Sequence, residues 1–271
     1  MKTLFFTTLL LASSLAISAQ DIIHKKIFSA KMNKDIETVI ITPKLKKGAT
    51  YKTVYILHGY SGNPDRTYTK DIPDLVSKSE MYQTIYVLPN GNFNSWYVDS
   101  PVDKTSQYQT FIGKELVEYI DSNYPSIKNR KFRGILGWSM GGYGATNIGI
   151  TYKNTFSIVG STCGAIDFNR FGENFHNYQV DKFLGEYKNL PQEYLTFNKA
   201  DKMKESNQFY YFDCGTEDGQ MIDMNRDFHQ LLTNQKIEHF YIESRGGHDT
   251  NYWSKALSNQ LALFENQFNI Q

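Results

Sequence analysis

The stretch Lys131-Phe132-Arg133-Gly134-Ile135-Leu136-Gly137-Trp138-Ser139-Met140-Gly141-Gly142 decides the fold. Residues 131–137 read as a short apolar strand, and residues 142–152 read as a helix. Between them stands Gly137-Trp138-Ser139-Met140-Gly141, a G-x-S-x-G sequence. In a strand-to-helix context this motif makes a sharp turn that lifts a serine hydroxyl clear of a sheet. Glycines two residues to either side leave room for the strained backbone. Ser139 is therefore the candidate nucleophile.

Working outward, residues 34–42, 52–57, 84–88, 157–161, 209–214 and 239–243 read as further strands, with helices at 111–123, 224–234 and 252–268. Val54-Tyr55-Ile56-Leu57 and Ile85-Tyr86-Val87-Leu88 are continuously apolar. Strands take that form when helices cover both faces of a mostly parallel sheet, so the expected class is α/β. Residues 167–204 break the alternation with Phe, Tyr, Asn and charged side chains. The expectation is an insertion roofing a site at the carboxyl ends of the strands, where open α/β sheets bind ligands.

A serine nucleophile needs a base, and the base needs an orienting acid, in the chain order Ser, acid, His. Of six histidines, only His248 follows a late strand in a glycine-rich loop, Gly246-Gly247-His248-Asp249, just before the last helix. His24, His176, His229 and His239 read as surface or packing residues. For the acid, the run Asp213-Cys214-Gly215-Thr216-Glu217-Asp218-Gly219 offers three carboxylates at the end of a strand. Asp218 is preferred; Glu217 and, further off, Asp167 are alternatives, and Asp249 braces the His248 loop. Two backbone N–H groups must face the developing oxyanion. Met140, after the nucleophile, and Tyr60, in His58-Gly59-Tyr60-Ser61-Gly62, fit those places. His58 itself reads as a residue that shapes this loop.

The polar loop 90–101 carries Trp96 and Tyr97, which suit stacking on a sugar or phenolic ring or equally the packing of the loop itself. Together with Trp138 they are the candidate substrate-binding residues. No Cys/His cluster of zinc type, P-loop or G-x-G-x-x-G is present, so no cofactor or metal is implied.

Composition narrows the classes. The 271 residues carry 29 Lys+Arg against 28 Asp+Glu, a net charge of +1. Without clustered charge, nucleic acid and anionic lipid are poor partners. Hydrophobic residues at 40% and aromatics at 15% supply a core for one domain over residues 20–271. A mean hydropathy of −0.49 and the lack of a second apolar run argue against a polytopic membrane protein. Lys2, the apolar stretch 4–15 and Ile17-Ser18-Ala19 read as a signal segment, residues 1–19, removed on export to a secreted or periplasmic location. Cys163 and Cys214 are too few for a disulfide framework and read as buried thiols, a single bridge remaining open.

Taken together, Leu57-His58-Gly59, Gly137-Trp138-Ser139-Met140-Gly141-Gly142, Cys214-Gly215-Thr216-Glu217-Asp218 and Gly246-Gly247-His248-Asp249 with Tyr252-Trp253 resemble the esterase D-like branch of the α/β hydrolases. That branch includes feruloyl and acetyl-xylan carbohydrate esterases, S-formylglutathione hydrolases and mycolyltransferases. The resemblance spans about 34–253 and implies an α/β-hydrolase fold, with the acid at Asp218. Residues 167–204 and 90–101 depart from the family pattern, so substrate identity does not carry over. The expected function is an exported serine esterase acting on feruloyl or acetyl groups of plant polysaccharide fragments, with a small ester as its partner. An S-formylglutathione hydrolase-like enzyme, a siderophore esterase and a non-catalytic binding or acyl-transfer protein are the alternatives; the export signal argues against the first.

Overall fold

The apolar runs lie side by side in one sheet. The computed structural model describes residues 21–270, so the expected signal segment falls outside the described residues. The strands are β1 (Asp21–Ser29), β2 (Lys34–Thr42), β3 (Lys52–Leu57), β4 (Thr84–Pro89), β5 (Arg133–Trp138), β6 (Ile158–Thr162), β7 (Phe209–Gly215) and β8 (Phe240–Ser244). Their spatial order is β1-β2-β4-β3-β5-β6-β7-β8. The pairs β1·β2 and β2·β4 are antiparallel, and every other pair is parallel.

The main helices are α1 (Leu75–Tyr82), α2 (Leu116–Asn123), α3 (Met140–Thr151), α4 (Ile222–Asn234) and α5 (Thr250–Ile270). They cover both faces, which explains the unbroken apolar strands. On one face Leu257, Leu261, Phe264 and Phe268 of α5 pack with Val54, Ile56, Leu136 and Ile158. On the other, Ile112, Leu116, Ile120 and Ile148 pack with Tyr55, Leu57, Ile135 and Val159. Each such side chain contributes about 1.5–3 kcal/mol by leaving water.

Two elements differ from their sequence signals. β1 was not expected, because only Ile27 and Ser29 of its nine residues are fully buried and His24, Lys25 and Lys26 give its middle no apolar alternation. Its register with β2, from Asp21↔Thr42 to Ser29↔Lys34, supplies the order that its composition does not announce. The helix expected from residue 111 starts earlier, at Tyr108, and passes through a π-helical turn at Phe111–Glu115 before α2. Cys163 and Cys214 are both free and buried. No helix among the described residues is long and apolar enough to cross a membrane.

Residues 167–204, between β6 and β7, form a series of short helical turns. Lys199, from this segment, is buried at the back of α3, where its ammonium bonds Asn147 Oδ1 and lies 3.3 Å from Thr151 Oγ1. Neither partner is charged. Burial therefore pushes the Lys199 pKa down to about 7. Between about pH 7 and the ordinary lysine value of 10.5, the unfolded chain binds the extra proton and the folded chain does not. Stability from this group thus rises with pH across that window and is lost as pH falls through 7. The melting temperature of the wild type should climb between pH 7 and 10 more steeply than that of Lys199→Met, which should also melt higher at pH 7. Parallel curves for the two proteins would show that this ammonium is not held against its solvation preference.

Candidate active site

Ser139 closes the turn between β5 and α3 with φ 54° and ψ −119°, a left-handed conformation that a serine adopts at a cost. The flanking glycines are required by contact distances. A Cβ on Gly137 would stand 2.4 Å from the Gly141 carbonyl oxygen, and one on Gly141 would stand 2.0 Å from that of Leu57. The turn is pinned by the Ser139 N–H donating to Thr162 O at 3.0 Å.

His248 and Asp218 meet at this turn from two other loops. Ser139 Oγ lies 2.9 Å from His248 Nε2, and His248 Nδ1 lies 2.7 Å from Asp218 Oδ2. Asp218 is 1% exposed, and its Oδ1 accepts from the Met221 N–H at 3.1 Å. Burial alone would raise the Asp218 pKa, but the His248 hydrogen bond and charge outweigh it and hold the carboxyl below its ordinary range. Burial likewise disfavours the imidazolium of His248, yet the hydrogen bonds and charge supplied chiefly by Asp218 prevail and lift its pKa to about 9. In the neutral form of the ring, the ionised carboxylate holds the proton on Nδ1 and leaves Nε2 to accept from the serine hydroxyl.

The other carboxylates are engaged elsewhere. Glu217 pairs with Arg245 at 2.7 Å on the surface, and Asp167 caps a turn and pairs with Arg170. Asp213 points to the opposite side of β7, accepting from Thr162 Oγ1, Gln260 Nε2 and Tyr252 OH. Asp249 Oδ1 accepts from Tyr252 N and starts α5. Of the remaining histidines, His176 pairs with Asp181, and His229 and His239 contact each other at 2.8 Å.

Beside the serine, Met140 N–H opens α3 and has no intrahelical acceptor. The Tyr60 N–H lies in the turn closed by Gly62 N–H to Gly59 O at 3.0 Å. His58 shapes this loop: its Nε2 accepts from Gly91 N–H at 2.9 Å, so its Nδ1 carries the proton that goes to Gly59 O at 2.8 Å. Burial lowers its pKa to about 4 and keeps it in that neutral form. The ring joins the loop after β3 to the loop after β4.

A cavity with an empty volume of about 730 Å³ opens over Ser139. Trp138, Trp96, Tyr60, Phe171, Tyr178 and Trp253 give it an aromatic lining, and Trp253 meets the His248 ring edge-on at 5.1 Å. Of the two readings of the loop aromatics, stacking on a substrate ring or packing of the loop, burial favours the second. Trp96 is 2% exposed, packed in T-shaped contacts with Tyr143, Phe168 and Phe171 and with its Nε1 donating to Tyr178 O, so little of it is open to the cavity. Tyr97 is fully buried beneath Gly91 and Gly144 and donates its hydroxyl to His58 O at 3.0 Å. It is a packing residue and takes no place in the cavity wall. Both have positive φ, of 53° and 54°, a twist that turns the rings inward.

Sequence reasoning missed Phe171 and Tyr178, which 167–204 brings to the cavity, and Arg66 and Asp71 on its polar side. The signal for the first two was present in the aromatic content of the segment. Cys163 also lies close: one ligand atom from each of Cys163, Asp218 and His248 falls within 4.8 Å of the others. That donor set suits a soft divalent cation, which would have to displace the bond between His248 and Asp218.

The family described as "Putative esterase" matches residues 29–264. An acetyl esterase of Caldicellulosiruptor saccharolyticus is 31% identical over 225 residues, covering 77% of this chain and 81% of its own. A ferulic acid esterase structure is 26% identical and superposes with a TM-score of 0.76 over 92% of this chain and 98% of its own. The S-formylglutathione hydrolase of Staphylococcus aureus, at 19% identity, superposes with a TM-score of 0.79 over 91% of this chain and 99% of its own, and so shares the fold. The chain has the α/β-hydrolase fold and belongs to this esterase family.

Proposed function

We propose that the protein is an exported serine esterase that releases acetyl or feruloyl groups from plant polysaccharide fragments. The observation carrying this reading is the continuous line from Ser139 Oγ through the His248 ring to the Asp218 carboxylate, at 2.9 and 2.7 Å, beneath an aromatic-lined cavity. The acetyl esterase relative and the ferulic acid esterase structure support the acyl groups named. The signal pattern at residues 1–19 supports export.

In this mechanism Ser139 Oγ attacks the ester carbonyl while its proton passes to His248 Nε2. The carbonyl oxygen becomes an oxyanion held by the Tyr60 and Met140 N–H groups. His248 then returns the proton to the leaving alcohol oxygen, and an acyl-Ser139 ester remains. Water, deprotonated by the same ring, attacks that ester, frees the acid and restores the serine. Asp218 stabilises the imidazolium formed in each half and never takes the proton itself.

A fluorophosphonate should form one adduct, on the peptide carrying Ser139, and Ser139→Ala should neither label nor hydrolyse an aryl acetate. Labelling at another residue in active protein would overturn the assignment. Asp218→Asn should lower kcat on the order of 10⁴-fold, as loss of the orienting carboxylate does in triads of this kind.

The pH profile is a separate check. His248 acts as base only when neutral, so kcat/KM should rise with pH through a limb lying above the ordinary imidazole value and towards about 9. In Asp218→Asn the burial remains and the carboxylate does not, so the limb should move to lower pH. A limb that stays in place would mean that Asp218 does not set the base.

A further inference from the structure

The loop 90–101 holds one aromatic ring in the open. Trp96 and Tyr97 are buried, whereas Phe93 is 53% exposed. An isolated apolar side chain on a surface needs no explanation. This one is not isolated. Its ring meets Tyr60 in a T-shaped contact at 4.9 Å, and Tyr60 meets Tyr178 in another at 5.3 Å. Tyr60 and Tyr178 line the cavity over Ser139, so Phe93 carries the aromatic wall of that cavity outward onto its rim.

The position is built. The Phe93 carbonyl accepts from the Ser61 N–H at 2.8 Å, which fastens its backbone to the loop that supplies Tyr60. Its own N–H donates to Asn92 Oδ1 at 2.8 Å, and the Asn92 N–H donates to Asn90 Oδ1 at 2.9 Å. One residue further on, Asn94 Nδ2 donates to Gln179 Oε1 at 2.6 Å and ties the loop to the segment 167–204. A ring held in place beforehand costs little ordering when a ligand settles on it. In a T-shaped contact Tyr60 covers at most one face of Phe93, and the exposure of the ring leaves the rest to solvent.

The surroundings select the ligand. Asn92 and Gln179, both exposed, add amides to this part of the rim. A sugar presents an apolar face of C–H groups with hydroxyls around it, which matches an aromatic face bordered by amides. The size of the cavity decides which part of a substrate reaches Phe93. An empty volume of about 730 Å³ is that of a pocket for one drug-sized molecule. The acyl group and the sugar that bears it fill such a space, and any further sugar has to lie across the rim.

We propose that Phe93 is a stacking platform for a second sugar ring of the substrate, outside the cavity, making the enzyme selective for esters of oligosaccharides over esters of single sugars. The platform rests on the esterase reading above and adds to it a specificity residue.

The test compares acetylated xylotetraose with an acetylated methyl xyloside, and an aryl acetate serves as reference for the chemistry. In the wild type, kcat/KM for the tetraose ester should exceed that for the xyloside at least ten-fold, with the gain lying in KM. In Phe93→Ala this ratio should fall to within two-fold of unity, and Phe93→Trp should keep it. The ratio does not depend on how much of a variant folds. A wild-type ratio near one, no turnover of either sugar ester, an unchanged ratio in Phe93→Ala, or a Phe93→Trp ratio as low as that of the alanine variant would overturn the platform, while wild-type turnover of the aryl acetate leaves the esterase reading in place. Wild-type protein that cleaves no ester at all overturns both.

Discussion

The closeness of two backbones sets the rest of the site. Gly141 approaches the end of β3 so nearly that a single added carbon would stand 2.0 Å from Leu57 O and 2.6 Å from His58 O. This approach forces the left-handed turn at Ser139 and presses the start of α3 against the loop that holds Tyr60. The two N–H groups assigned to the oxyanion thus come from segments that the same contact holds together. His58 extends the constraint by tying its loop to Gly91, and Tyr97 fills the space beneath by bonding His58 O. Strain in one residue is offset by packing in three segments, which is how a poorly populated backbone persists.

His248 is held by a comparable approach on the other side. A Cβ on Gly215 would stand 2.2 Å from Gly246 O, so the loops bearing Asp218 and His248 run in contact. Behind them Asp213 accepts from Thr162, Gln260 and Tyr252, joining β6, β7 and α5. Burial raises the Asp213 pKa to about 7, the mark of a carboxylate kept for its hydrogen bonds and not for its charge. The two carboxylates have opposite fates. Asp218 stays ionised because it faces the imidazole, and Asp213 meets only neutral donors.

Most of the sheet was legible in the sequence because its strands are buried on both faces and announce themselves as apolar runs; residues 34–42 and 52–57 match in full. The meeting of Ser139, His248 and Asp218 was legible because a turn without room for a Cβ leaves glycines as its trace. What escaped was set by long-range contact. β1 has its order from pairing with β2, not from its own alternation. Tyr97 could stack on substrate or pack as far as its loop tells, because nothing local shows that Gly91 and Gly144 leave a slot for its ring. Arg66 and Asp71 are ordinary surface types in the sequence, and only the fold brings them to the cavity wall.

The cavity is thereby divided by origin as well as by chemistry. Its aromatic side owes Phe171 and Tyr178 to the segment between β6 and β7, and these rings meet Tyr60 from the β3 loop, Tyr60 and Tyr178 being 5.3 Å apart edge to face. Its polar side owes Arg66 and Asp71 to the turn before α1 and is braced by Thr250 at the start of α5. Ser139 stands between the two sides. The loops that build the aromatic side can change without disturbing the turn at Ser139, since none of the contacts that fix that turn comes from 167–204. The polar side has less freedom. Thr250 begins the helix that follows His248, so the Arg66–Asp71 pair is tied to the loop that carries that histidine. The aromatic side is accordingly the more adjustable part of the cavity, and the polar side is coupled to the loop that carries His248.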